Sequence, residues 1–194
     1  MKDAKIKIGL FFTGPKHAGE NLDGILEKQS QGLLRHIQEC DSSSLNVLQN
    51  NETFLANCLG HLRKKFYELI EVWPREVTKI IGEFSCVFTN EHLAPNDPED
   101  RLKWHEEKSD PVMQKIKKYC DSLVGQKKVE SNSSMGKAIA YLNNHWEAFT
   151  IFLRIPSVPL TNNESERLIK GAFLNRKTLI FSKTKRELKL PIFL

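Results

Sequence analysis

The sequence has no run of about 20 apolar residues, the length that a membrane-spanning helix needs. It shows no signal-peptide pattern either, because Lys2, Lys5 and Lys7 interrupt the first short apolar run. It has few cysteines, without a C-x-x-C pair or a nearby histidine at zinc-finger spacing: Cys40, Cys58, Cys86 and Cys120. These absences predict a soluble, cytoplasmic protein with buried free thiols and no structural zinc site.

The charge is moderately basic and unevenly placed. The net charge is +5, and the pI is about 9.0. From Ser165 to the end there are eight Lys or Arg residues against two Glu. Such a balance permits a polyanionic partner without identifying one.

The spacing of apolar residues and the turn-forming residues in the first third of the sequence indicate an α/β arrangement. Residues 5–14 and 34–41 read as strands, and residues 17–34 between them read as an amphipathic helix. A strand, a helix and a strand in this order form a crossover unit with a parallel pair. Residues 52–61 fit either a third strand or the start of a helix.

Helical patterns dominate from Leu62 onward. A break or kink is expected near Pro74, a helix start at Pro98, and either a helix start or a kink at Pro111. Residues 133–154 predict one long apolar helix, and a basic helix follows a proline-rich connector. Helices inserted into an α/β domain would give this order, and so would two separate domains.

Two acids stand where a metal site could form. Asp41 ends the second predicted strand, and Glu166 lies near the start of the basic helix. Two divalent metals held by a few carboxylates commonly run phosphoryl transfer, and these positions often point into one crevice. Asp41 before Ser-Ser-Ser also fits a turn, and Glu166 fits a capping box with Asn163.

A basic stretch and three tryptophans have competing interpretations. The stretch is either a solvated face or a contact to DNA phosphates, and it comprises His61, Arg63, Lys64 and Lys65. Cys58 and His61 lack the second ligand pair that a metal site needs. The tryptophans fall in helical patterns that favour packing over base stacking: Trp73, Trp104 and Trp146.

Five stretches in one order carry a family resemblance: "GLFFTGPKHAGENL", "IQECDSSS", "LANCLGHLRKKF", "GKAIAYLNNHWEAFTIFLR" and "LTNNESERLIKGAFLNRKTLIF". The chain resembles the transposases of the insertion sequence 66 family, members of the ribonuclease-H-like superfamily with an Asp-Asp-Glu triad. The most specific element is the family's Asn-Asn-x-x-Glu-Arg, present as Asn162, Asn163, Glu166 and Arg167.

The resemblance implies Mg²⁺- or Mn²⁺-dependent DNA strand cleavage and transfer. Asp41 matches the second acid of the triad and Glu166 the third, so both are the expected catalytic and metal-binding residues. The expected partners are transposon ends, target DNA and other transposase subunits, in a nucleoid-associated cytoplasmic protein. The residues expected to bind DNA are His61, Arg63, Lys64, Lys65, Arg167, Lys170, Arg176 and Lys177.

The sequence also departs from the family pattern at several points. The first acid of such triads lies on the first strand of the fold, and Asp3 is a poor substitute for it. Thr161 stands where the family often has Asp, and the chain ends in an apolar tail. We therefore expect the C-terminal part of a transposase that is inactive alone. The alternative is a non-catalytic DNA-binding or transposase-associating remnant.

The resemblance also sets the expected fold and domain boundaries. The expected fold is α/β and helix-rich overall: an incomplete ribonuclease-H-like domain with a long all-helical insertion. Residues 1–61 would form a partial core, and residues 62–156 would form the insertion. Residues 157–194, with the Glu166 helix and the basic tail, would return to that core.

Overall fold

The structure is a computed structural model that describes residues 22, 24, 26, 35–40 and 53–179, without the side chains of residues 172–179. The chain divides into two compact units: Phe11–Asn162, and Met1–Leu10 with Asn163–Leu194. Residues 22, 24 and 26 are helical, in line with the helix predicted over residues 17–34. The strand predicted over residues 5–14 lies outside the described residues.

Two short parallel strands open the described part of the larger unit. Strand β1 runs over Ile37–Cys40 and strand β2 over Phe54–Asn57, with Ile37 opposite Phe54 and Cys40 opposite Asn57. The described part of the predicted strand at 34–41 is thus confirmed. Residues 52–61 contain both structures considered for them, because a helix begins directly after β2.

Helices α1 to α4 follow, and proline marks the start of three of them. They span Leu59–Tyr67 (α1), Pro74–Leu93 (α2), Pro98–Lys108 (α3) and Asp110–Gly125 (α4). Proline fits the first turn, where its missing N–H has no intrahelical acceptor. The side chain of Asp97 accepts hydrogen bonds from the amides of Glu99 and Asp100 and so caps α3. The predicted break at Pro74 and helix starts near Pro98 and Pro111 are confirmed.

The prediction of a single helix over residues 133–154 is wrong. The chain forms α5 (Ser134–Asn144), a short α6 (Trp146–Phe149) and a 3-10 turn (Ile151–Leu153). His145 and Thr150 lie between these segments with φ of −115° and −107°. The Thr150 hydroxyl donates to the Trp146 carbonyl, a local bond that favours a bend. The helical spacing of apolar residues continues across these bends, so the sequence pattern does not indicate them.

The core lies where α1, α2, α4 and α5 pack together. Phe66 of α1 and Phe84 of α2 are fully buried, with ring centroids 6.3 Å apart. Burial of such a side chain stabilises the fold by about 1.5–3 kcal/mol. Ala56 of β2 joins this cluster, and Ile37 of β1 packs against it. One face of the strand pair therefore rests on the helical core.

Three of the four cysteines are buried, as predicted, whereas Cys86 is exposed on α2. Burial is the main cause that raises the pKa of the Cys120 thiol to about 12, and the Asp121 carboxylate raises it further. Cys120 is therefore a protonated, packed thiol at neutral pH.

Helix α7 (Asn163–Leu179) belongs to the smaller unit. It confirms the predicted basic helix. It begins at Asn163, one residue earlier than the capping box of Asn163 with Glu166 requires. None of the described helices is both long enough and apolar enough to cross a membrane.

Candidate functional site

The carboxyl ends of β1 and β2 lie side by side because the strands are parallel. In open α/β sheets this edge is where ligands usually bind. Strand β1 ends at Cys40, so Asp41 is the next residue along the chain from this edge. Asp41 itself lies outside the described residues, and its predicted role stays a prediction.

Three chain segments meet where β2 turns into α1. The Cys40 thiol donates a hydrogen bond of 3.3 Å to Asn57 Oδ1, which joins the ends of the two strands. The Cys58 amide donates to the Cys40 carbonyl at 3.2 Å. The Leu59 amide donates to the Leu160 carbonyl at 2.9 Å, which fixes the segment before Asn162 against the start of α1.

The basic stretch of α1 is spread around the helix and does not form a single patch. Arg63 lies over the Phe88 ring at 5.6 Å, and Lys65 lies over the Tyr141 ring at 4.6 Å. Lys64 is 3.8 Å from Glu68 on the solvent side. Consecutive helical residues differ by about 100° in direction, which explains the spread.

Arg63 and Lys65 therefore have packing roles as well as charge. His61 is half-buried in the first turn of the same helix. The predicted contacts of these residues with DNA stay predictions.

Glu166, the other predicted acid, lies in the first turn of α7, which also contains Glu164. Glu166 is half-buried, whereas Arg167 and Lys170 are exposed. Arg176 and Lys177 lie further along the helix, where side chains are not described. Of the predicted set, α7 thus holds one acid and four cations.

The described residues contain no group of three or more His, Cys, Asp or Glu side chains that could hold a metal ion. The donor set predicted from the sequence is a pair of carboxylates, Asp41 and Glu166. Carboxylate oxygens are the hard ligands that Mg²⁺ and Mn²⁺ prefer, so these residues fit the ion chemically.

A buried Ser–His–Glu arrangement lies elsewhere in the larger unit. His105 Nδ1 is 2.9 Å from Ser109 Oγ, and His105 Nε2 is 2.9 Å from Glu91 Oε2. The order of groups resembles a hydrolase triad, but Ser109 is fully buried and its Oγ also accepts from Asn90 Nδ2, so the serine is held inside this network. Arg101 also pairs with Glu91, so the network ties α2 to α3 and to the start of α4.

Comparison with known proteins identifies the family. The family model described as "Transposase IS66 family" matches residues 2–189. The chain belongs to the IS66 transposase family. This membership supports a transposase-related function and confirms the resemblance seen in the sequence at that level.

Two curated relatives come from Sinorhizobium fredii, and both are named as uncharacterized proteins. The chain is 27% identical to y4jD over 186 residues, which is 90% of this chain and 34% of y4jD. It is 27% identical to y4hP over 146 residues, which is 68% of this chain and 26% of y4hP. The chain therefore spans about a third or less of these relatives. No solved structure matches it.

Sequence reasoning missed Asn57, which is 4% exposed and bonded to Cys40. Polar residues are uncommon at buried strand ends, so an Asn closing an apolar strand was the available signal. Its partner Cys40 is 17 positions away, and only the parallel register brings the two together.

Proposed function

We propose that this chain takes part in metal-dependent DNA strand cleavage and transfer, with Asp41 and Glu166 as metal-binding carboxylates. The match of the transposase family model to residues 2–189 carries the proposal. The end of β1 directly before Asp41 supports it, as does the position of Glu166 in the first turn of α7.

We further propose that the strand pair is part of a ribonuclease-H-like core. In this proposal residues 1–61 and 157–194 contribute to the core, and residues 62–156 form an inserted helical bundle. The parallel pairing of β1 and β2 supports an α/β core, and helices α1 to α6 support the helical character of the insertion.

A bound divalent metal would activate a water or a 3′-hydroxyl for in-line attack on a phosphodiester. Asp41 and Glu166 would hold the metal through their carboxylate oxygens. Two carboxylates offset only half of the charge of two such ions. We therefore expect the 194-residue chain to lack strand-transfer activity unless another acid completes the site.

The cations of α7 would bind the DNA backbone in this proposal. Arg167 and Lys170 are exposed on this helix. Each cation that neutralises a phosphate releases counterions, so the affinity falls as salt rises. Arg176 and Lys177 extend the same basic helix along the sequence.

The test measures binding of a labelled DNA duplex across a salt series. Changing Lys170, Arg176 and Lys177 together to Gln should make the slope of log affinity against log salt shallower by about 2 to 3, since each lost phosphate contact removes about 0.9. A matched control changes three exposed lysines of the larger unit to Gln: Lys127, Lys128 and Lys137.

The control removes the same charge and should leave the slope nearly unchanged. Equal slopes for the two triple variants would mean that α7 is a solvated face. A parent chain that fails to bind the duplex even at low salt would overturn the proposed role in DNA processing.

The second candidate is a DNA-binding or subunit-associating role without catalysis. It is favoured by one observation: α7 exposes Leu168 and Ile169 next to its cations, with 52% and 44% of their surfaces accessible. Adjacent apolar and basic surface suits a helix that contacts both a protein subunit and DNA.

A further inference from the structure

We propose that the turn from β2 into α1 binds one phosphodiester group of the DNA backbone, through Asn57 Nδ2 and the first turn of α1. This inference rests on the proposed function, because it names where that DNA would be held. It adds a neutral phosphate contact within the larger unit, separate from the cations of α7.

Asn57 supplies the observation that points to a ligand. The residue is 4% exposed, and its Oδ1 accepts from the Cys40 thiol. Its Nδ2 is buried and has no hydrogen-bond partner within the described part of the chain. A buried donor without an acceptor destabilises the fold, and an acceptor supplied by a ligand would relieve that cost.

The start of α1 has the properties of an anion site. The helix has nine residues, no acid in its first turn and no side-chain cap on its N-terminus among the described residues. The Leu59 amide already donates a hydrogen bond to the Leu160 carbonyl. The Gly60 amide lacks an intrahelical acceptor by helix geometry, and the helix dipole adds partial positive charge. A phosphate at such an end is a common arrangement.

Gly60, in the first turn of α1, is bordered by two side chains and is partly open to solvent. A Cβ placed there would lie 3.4 Å from Cys58 Sγ and 3.6 Å from Thr161 Cγ2, both ordinary contacts. The position is half-exposed, although its neighbours Cys58 and Leu59 are buried. A phosphate oxygen could therefore reach the first turn from solvent.

Asn162 is half-buried and provides a second carboxamide close by in the fold. It follows Leu160, whose carbonyl holds Leu59, by two residues, and its Oδ1 is buried without a partner among the described residues. A half-turn of its carboxamide exchanges Oδ1 for Nδ2 and would offer a second donor to the same ligand. A trapped water would also satisfy both amides, and the experiment distinguishes it from phosphate.

The experiment measures duplex affinity and its salt slope for the 194-residue chain with Asn57→Leu. Leucine has a similar size and removes Nδ2 together with the Oδ1 that accepts from the Cys40 thiol, so affinity should fall about tenfold. The salt slope should stay as in the parent, because no cation is removed. Gly60→Pro is the second variant, since it removes the first-turn amide and proline is tolerated there. It should likewise lower the affinity about tenfold without changing the salt slope. A thermal unfolding transition checks that each variant is folded.

Parent-like affinity in a folded Asn57→Leu or Gly60→Pro variant would overturn the inference and leave a water in the site. A loss accompanied by a shallower slope would also overturn it, since the variant would then be disturbing the cations of α1. Both outcomes differ from failure of the proposed function, in which the parent chain itself does not bind the duplex.

Discussion

His105 lies in a buried polar network that uses both nitrogens of its ring. Asn90 Nδ2 donates to Ser109 Oγ at 3.3 Å, and the same oxygen lies 2.9 Å from His105 Nδ1. His105 Nε2 lies 2.9 Å from Glu91 Oε2, and the ring edge packs on Phe152 with centroids 5.3 Å apart. One residue thus satisfies polar groups from α2 and from the turn between α3 and α4.

Replacing His105 with Ala should lower the free energy of unfolding by about 2–4 kcal/mol. The change removes the ring from the buried Ser109 hydroxyl, removes one of the two partners of Glu91 and opens a cavity beside Phe152. Urea denaturation at neutral pH measures the loss. The matched control, His92→Ala, removes an exposed histidine of α2 and should change stability by no more than about 0.5 kcal/mol. Similar values for the two variants would contradict the role assigned to the network.

Residue identity was easier to predict from the sequence than residue environment. The sequence placed Glu166 near a helix start and the basic stretch on a helix, and both placements hold. It could not show that Arg63 rests on Phe88 or Lys65 on Tyr141, because those rings come from helices distant in the chain. Long-range packing alone decides such contacts.

At the scale of the element, two helical glycines have opposite environments. Gly136 lies in the first turn of α5, where a Cβ would be 2.7 Å from the Ser131 carbonyl oxygen and would also clash with that of Glu130. Gly82 lies in the interior of α2, where a Cβ would have no neighbour within 4 Å. The same substitution should therefore act in opposite directions at these positions.

Gly82→Ala should raise the free energy of unfolding by about 0.5–1 kcal/mol, because alanine loses less backbone freedom in a helix. Gly136→Ala should lower it by about 3 kcal/mol, because the turn before α5 has to move. Chemical denaturation of both variants beside the parent checks the pair. A stabilising Gly136→Ala would show that the chain before α5 shifts without cost.

Element boundaries followed from the sequence where proline or a cap marked them. Pro74, Pro98 and Pro111 all lie in first turns, since proline needs no intrahelical acceptor there. The apolar stretch at 133–154 has such a marker at its start, where the Ser133 hydroxyl accepts from the Gly136 amide and caps α5, but none at its bends. Its bends at His145 and Thr150 depend on local hydrogen bonding and packing, which periodicity does not report.

At the scale of the molecule, the proposed site joins residues far apart in the chain. Asp41 follows β1 at the start, and Glu166 lies 125 positions later, since 166 − 41 = 125. Local patterns predicted a helical middle and a basic helix, and these are present. The parallel pair predicted from residues 5–14 and 34–41 lies partly outside the described residues, and the pair that the structure shows is β1 with β2. Whether two carboxylates share an ion depends on tertiary structure, which no local pattern determines.

Binding of Mn²⁺, followed by electron paramagnetic resonance, tests whether Asp41 and Glu166 hold one metal ion together. A double-mutant cycle uses Asp41→Asn, Glu166→Gln and the combination, with Glu164→Gln as control in the same first turn of α7. If both acids hold one ion, each single change should weaken binding about tenfold, and the combination should weaken it little further. The control should bind as the parent does. Parent-like binding by both single variants, or losses that multiply independently, would contradict a shared metal site.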